Sequence, residues 1–224
     1  MVTVSYAILV NDEYEEIQKL VQFLFGNWKA GDEIVIVQDY KGSADEQTEN
    51  GQLVSEYLRR LTIRNNFTFF QHPLDHDFSQ QKNYLNSKCT KDYIFNIDAD
   101  EMLTEDLMAN LHAIIEMNPD SDIFGVPRVN GVEDITQEHI DKWGWRVDEN
   151  GKINWPDFQF RIYKNNNIIK WERPVHEYLT GYKKFGTLPE DVGLALQHYK
   201  KIAKQEKQNE LYQNIIKEKN VDKK

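Results

Sequence analysis

Residues 92–103 read DYIFNIDADEML. Within them Tyr93-Ile94-Phe95-Asn96-Ile97 is an apolar run of strand length, and it breaks off into three acids, Asp98, Asp100 and Glu101. A run that is apolar at successive positions is buried on both faces, which is how strands inside a parallel sheet read. In open α/β sheets, ligands bind beyond the carboxyl ends of the strands. Asp98 and Asp100 therefore belong to a binding crevice and not to the core.

The sequence on either side fits that sheet. Val2–Val10 predicts a first strand, and Asn11 or Asp12 is placed to cap a helix carrying Ile17, Leu20, Val21, Leu24 and Phe25 at helical spacing, ended by Gly26-Asn27. Ile34–Val37 predicts a second strand, followed by a polar loop, 40–49, and a helix through Leu53, Tyr57, Leu58 and Leu61. Phe67–Phe70 reads as a third strand and Ser79–Ser87 as a short helix. After the acids, Thr104 caps a helix with Leu107, Met108, Leu111, Ile114 and Ile115 on one side and His112 on its surface, and Ile123–Val126 is a further strand. Alternating strands and amphipathic helices give a mostly parallel sheet with helices on both faces. Beyond Arg128 the pattern changes. Residues 128–158 lack periodicity and read as a functional loop, Phe158–Tyr163 and Ile168–Trp171 as a hairpin, and His198 to about Lys219 as a polar helix packing through Ile202, Leu211, Ile215 and Ile216.

With 224 residues, 40% of them hydrophobic, the chain can bury one sizeable core. The formal net charge of −10 argues against nucleic-acid binding, which needs lysine and arginine against phosphate. The charge is uneven: residues 199–224 hold eight lysines and four acids, a basic tail suited to an anionic membrane surface or to plain solvation. No apolar run reaches transmembrane length, and the start, MVTVSYAILVNDEYEE, lacks a basic leader. The single cysteine, Cys89, leaves no disulfide framework, so a cytoplasmic protein is expected.

Two carboxylates two positions apart on a strand point the same way unless a turn intervenes, and they repel unless a cation relieves them. Hard divalent ions such as Mg²⁺ or Mn²⁺ accept a few carboxylate oxygens and complete their shell with phosphate oxygens. An acidic protein can thus hold an anionic diphosphate. The plainer reading has Asp98 and Asp100 capping the helix that begins near Thr104.

Several further motifs occur in order: Asn11-Asp12-Glu13 after the first strand; Asp39 with Gly42-Ser43-Ala44-Asp45; Phe78-Ser79-Gln80-Gln81-Lys82-Asn83; Asp98-Ala99-Asp100-Glu101; Arg161-Ile162-Tyr163; and Trp171 to Glu177, ending in Val175-His176-Glu177. In these the chain resembles the family-2-like glycosyltransferases of the GT-A fold, particularly bacterial lipopolysaccharide-core sugar transferases. The resemblance covers roughly residues 2–200. It implies a Rossmann-like α/β domain over 1–198, with a nucleotide-binding half (1–127), an acceptor- and metal-completing half (128–198), and a basic helix at 199–224. It also implies sugar transfer from a nucleotide-diphosphate donor, a UDP-sugar foremost, with a divalent metal. Val10, Glu13, Asp39, Lys82 and Asp98 would meet the nucleotide-sugar, and Asp100 with Asp98 the metal.

His176 is the first candidate for a further metal ligand and His198 the second. Transfer to a hydroxyl needs a base; Glu177 is the leading candidate and Asp157 the next, with Glu133-Asp134 and Glu190-Asp191 candidates by type. Exposed carboxylates, or salt bridges to Arg161 or Arg173, are the structural alternatives. His176 and Glu177 can share one site only if the backbone after Pro174 is irregular. Four of five tryptophans lie within 143–171. Trp143 and Trp145 suit a saccharide or lipid-linked acceptor, because sugar rings present apolar faces to flat aromatic ones, whereas Trp171 reads equally well as core. Inversion at the anomeric carbon is expected. The alternatives are a non-catalytic nucleotide- or sugar-binding module on the same fold, and a nucleotidyltransferase, which would want a glycine-rich basic loop after the first strand.

Overall fold

The computed structural model describes residues 1–43 and 46–219; Asp45 of the Gly-Ser-x-Asp motif and the last five residues of the basic tail lie outside them. The run that opened the sequence reading is a central strand. β1 (Val4–Val10) pairs in parallel with β2 (Glu33–Asp39) on one side and β4 (Tyr93–Asp98) on the other, and β3 (Phe67–His72) continues the parallel array beyond β2. Alternation sorts the β1 side chains between two layers. Val4, Tyr6, Ile8 and Val10 meet the apolar faces of α1 (Tyr14–Asn27), α2 (Glu49–Leu61) and α4 (Glu105–Met117). On the opposite face, Ala7 packs with Leu85 of α3 (Phe78–Asn86) and with Trp171.

Thr104 caps α4 as expected, its hydroxyl accepting from Leu107 N at 3.1 Å. α1 differs: Glu13 occupies the cap position without a side-chain cap bond, and Glu13 Oε2 instead accepts from Asn11 N at 2.8 Å. In α2 the buried face runs through Val54 and Leu58, while Leu53 is exposed. His112 is not on the surface. It is buried, with Nε2 3.0 Å from Asp32 Oδ1, and Asp32 also accepts from Val4 N and Lys29 N.

The second half departs most from the sequence reading. β8 (Gln159–Lys164) does not form a hairpin; it inserts antiparallel between β4 and β6 (Ile123–Val126), with β11 (Phe185–Thr187) at the far edge, giving the order β11-β6-β8-β4-β1-β2-β3. The strand predicted around Ile168–Trp171 is β9 (Lys170–Glu172), which pairs with β10 (Tyr178–Thr180) apart from the main sheet. The loop expected at 128–158 contains β7 (Arg128–Glu133) and the short helix α5 (Gln137–Trp143). His198 lies on β12 (Leu196–Lys201), not on a helix; the helix, α6, runs Ile202–Glu218, and of its apolar residues Ile215 alone is fully buried. β12 joins β7 in parallel and β5 (Glu101–Met102) antiparallel. These elements pair through contacts distant in sequence, which local periodicity does not register.

Asp122, at the start of β6, staples this half. Its carboxylate accepts from Lys183 N (2.9 Å), Lys184 N (3.1 Å) and Lys164 Nζ (3.0 Å). Led by the Lys183 amide, these bonds hold its pKa down at about 2. A depressed carboxylate stabilises the fold above its unfolded pKa of about 3.9 and loses that contribution as pH falls toward the folded value. Urea titrations of Asp122→Asn should therefore show a deficit at pH 7 that closes between pH about 4 and about 2. A deficit independent of pH would contradict this.

Candidate active site

β4 ends at Asp98, the chain turns at Ala99-Asp100, and β5 then pairs back onto β12 with Glu101 opposite His198. The turn separates the three acids. Glu101 is fully buried, and its Oε1 accepts from Arg161 Nη2 at 2.8 Å and Arg128 Nη1 at 2.9 Å; its other oxygen accepts from Asp98 N at 3.1 Å. Asp98 is shared, its carboxylate bound by Arg161 while remaining 37% exposed to the cleft. Burial would push the Asp98 carboxyl up, but Arg161 and Lys82 outweigh it and hold its pKa at about 2. Asp100 faces the cleft, with Lys204 Nζ at 3.2 Å and His198 Nε2 at 3.6 Å. Its pKa is also depressed: burial raises it, but His198, Lys204 and Lys200 together overcome the burial. Neither aspartate caps α4, whose cap is Thr104.

Arg161 is the buried counter-charge beneath the cluster, reaching Asn96, Asp98 and Glu101 from β8. Removing one partner of a buried ionic network leaves an uncompensated charge, at a cost of about 3–5 kcal/mol. Urea denaturation of Arg161→Met is expected to show that loss, against near-zero loss for a surface control such as Arg60→Met.

The cluster opens into one large cleft of ≈ 2210 Å³, walled by the ends of β1, β2 and β4 on one side and by β12 and α6 on the other. Small-ligand pockets measure about 300–1,000 Å³, so this volume has room for more than one ligand. Twelve of the residues singled out from sequence line it: Val10, Glu13, Asp39, Lys82, Asp98, Asp100, Trp143, Trp145, Asp157, His176, Glu177 and His198; the base candidates named by type, Glu133, Asp134, Glu190 and Asp191, do not. Their surroundings differ. Asp39 Oδ1 accepts from Leu74 N at 2.9 Å. Lys82 is 4% exposed, in an ion pair with Glu177 and 4.3 Å from the centre of the Trp171 ring. Trp171 is core, while Trp143 and Trp145 lie with ring centres 4.7 Å apart in the cleft wall.

Asp157 is bound by Arg128 Nε and Nη2 (3.0 and 2.8 Å), Asn130 Nδ2 (2.6 Å) and Gln159 Nε2 (3.0 Å), which leaves little of it free to take a proton. Its salt bridge is to Arg128 and not to Arg161 or Arg173. Positive φ at Arg173 (77°) and His176 (53°) supplies the irregular backbone that lets His176 and Glu177 both line the cleft. His176 packs edge-on against Tyr212 of α6, ring centres 5.6 Å apart. Among the described residues no hydrogen bond or ion pair joins it to Asp98 or Asp100. His198 is the imidazole beside Asp100, and its Nδ1 lies 2.9 Å from Asn130 Oδ1. With Asn130 Nδ2 committed to Asp157, Oδ1 is the atom that accepts from His198 Nδ1, and His198 Nε2 is left facing Asp100.

Arg128, Asn130, Lys200 and Lys204 were not singled out from sequence. The alternation Leu196, His198, Lys200 against Gln197 and Tyr199 is a strand signal that would have brought His198 and Lys200 onto one face.

Residues 5–184 match the model of glycosyl transferase family 2. The chain belongs to that family. A search of curated protein sequences finds no match. Among solved structures, this family-2 chain resembles Staphylococcus aureus TarS, with a TM-score of 0.56 at 14% identity over 97% of its own length. It is also similar to TarS 1–349 in complex with UDP-GlcNAc, with a TM-score of 0.57 at 12% identity over 89% of its length. The chain spans 39% of the first of these proteins and 58% of the second. At that identity the likeness establishes the fold, which is GT-A. Among the described residues no helix is long and apolar enough to cross a membrane.

Proposed function

We propose that the protein transfers a sugar from a nucleotide-diphosphate donor, a UDP-sugar foremost, to a hydroxyl of a saccharide or lipid-linked acceptor, inverting the anomeric centre with the help of a divalent metal. The observation that carries this reading is Asp100, a carboxylate at the end of the central strand that faces the cleft, in a family-2 chain. That TarS 1–349 is known in complex with UDP-GlcNAc and with UDP supports a uridine nucleotide as the donor's carrier.

The residues present fit a metal of the Mn²⁺ or Mg²⁺ kind. Among the described residues no three His, Cys, Asp or Glu side chains cluster as a self-sufficient cage, and a metal shared with a diphosphate needs only one or two protein ligands. Asp100 would hold it, with His198 in preference to His176 because His198 Nε2 already faces that carboxylate. When bound, such an ion supplies positive charge against the departing diphosphate.

The chain's own residues account for the other requirements. Val10, Glu13 and Asp39, which line the cleft near the ends of β1 and β2, would meet the nucleoside. Glu177 takes the acceptor's proton, and its pairing with Lys82 fixes the carboxylate's orientation in the cleft wall. Trp143 and Trp145, their rings tilted 50° to one another, offer the acceptor an aromatic surface. With Glu177 as the base, direct displacement at the anomeric carbon inverts that centre. Incubation with a panel of nucleotide-sugars and Mn²⁺ should give slow release of nucleoside diphosphate from one of them. Binding without release, or pyrophosphate-linked products, would overturn the proposal.

A further inference from the structure

Most of the positive charge in the cleft wall is already matched. Lys82 pairs with Glu177, Arg161 with Asp98 and Glu101, and Arg128 with Glu101 and Asp157. Lys204 pairs with Asp100 at 3.2 Å and lies 3.9 Å from both Glu13 and Glu16. Lys200 is different. It leaves β12 two residues after His198, so the two side chains share a strand face, and both line the cleft. It is half-buried, and its Nζ donates to Gln208 Oε1 of α6 at 2.8 Å. Among the described residues no carboxylate forms an ion pair with it, which sets it apart from the other part-buried or buried cations of the wall, Lys82, Arg128, Arg161 and Lys204. Asp100 and Asp98 attract it from beyond ion-pair distance, while Arg128 and Lys204 repel it.

An ammonium partly withdrawn from water, with cations as well as carboxylates around it and a neutral amide as its hydrogen-bond partner, is held at a cost in free energy that a directly bound anion would relieve. The anion must reach a point next to Asp100 and within the cleft. A diphosphate lying against the Asp100 turn does so.

We propose that Lys200 is the residue that contacts the donor diphosphate and neutralises it as the sugar leaves. The proposal rests on the transferase reading above and deepens it. In the step concerned, the acceptor oxygen forms a bond to the anomeric carbon and its proton passes to Glu177. The bond from that carbon to the diphosphate oxygen breaks, and the electron pair stays on the diphosphate. Negative charge therefore grows on the leaving group, and a preplaced cation there binds the transition state more tightly than the substrate. A lysine, as a point charge on a flexible stem, can follow the departing group.

Calorimetry on the full chain in Mn²⁺ tests this with UDP, GDP and the matching nucleosides. Lys200→Met is expected to weaken binding of the nucleoside diphosphate at least about tenfold while leaving nucleoside binding unchanged, and Lys200→Arg to restore most of the loss, with thermal midpoints near wild type. If Lys200→Met folds poorly, Lys200→Gln, which keeps a polar end for Gln208, carries the same expectation. Unchanged diphosphate affinity would overturn the assignment, as would an equal loss for nucleoside and diphosphate, which marks a merely structural role. If the wild-type protein binds neither diphosphate, the transferase reading itself falls. If it binds one and Lys200→Met binds it equally well, only the role of Lys200 falls.

Discussion

Asp100→Ala is expected to abolish the Mn²⁺-dependent part of nucleoside-diphosphate binding and to lower transfer at least ~100-fold, with a thermal midpoint close to wild type. A hundredfold loss is about 2.7 kcal/mol of transition-state stabilisation, within what a metal clamp on a leaving group supplies. The fold should tolerate the change because Asp100 bears none of the buried structural charge. Glu101 takes both buried arginines, Asp98 takes Arg161, and Thr104 caps the following helix. The partners that Asp100 loses are His198, which keeps its bond to Asn130, and Lys204, which is 37% exposed and can turn to water or to Glu13 and Glu16. Calorimetric affinity for UDP that is the same in wild type and variant, both in Mn²⁺, would remove Asp100 from the metal.

Glu177→Gln is expected to leave donor binding intact and to reduce transfer by about 10²–10⁴, the usual contribution of a general base. Glutamine preserves shape and still accepts from Lys82 through its amide oxygen, so the buried ammonium stays hydrogen-bonded although its counter-charge is gone. The decisive comparison is between donor affinity and turnover in the same preparation. Loss of both together would mean that the Lys82–Glu177 pair serves the architecture of the cleft. Retained turnover would place the base elsewhere, and Asp157 is a poor substitute because Arg128, Asn130 and Gln159 already take up its oxygens.

The first half of the fold was readable residue by residue because its information is local. Ile17, Leu20, Val21 and Leu24 follow helical period and are fully buried; Ile34–Val37 and Tyr93–Ile97 are apolar on both faces and lie inside the sheet. The second half is held by pairings distant in sequence: β8 inserted between β4 and β6, and β12 between β5 and β7. Phe158–Tyr163 carries the same pattern in a hairpin as in an inserted strand, so its partner could not be read from it. The cleft's residue types were legible, since the candidates from both halves line it. Their pairing was not. The ion pair between Lys82 and Glu177, the binding of Asp157 by Arg128, and the bond from His198 to Asn130 depend on how the second half folds across the first. His112 illustrates the same limit: only Asp32, 80 positions away in sequence, explains why an imidazole on an amphipathic helix faces inward.

The most direct test is the anomalous difference map of a crystal soaked with UDP and Mn²⁺. A manganese peak bound by Asp100, with the UDP diphosphate completing its shell and His198 adjacent, is the expected result. UDP seated in the cleft with no such peak beside Asp100, or with the carboxylate still held by Lys204, would contradict the shared-cation site on which the reading of this cleft depends.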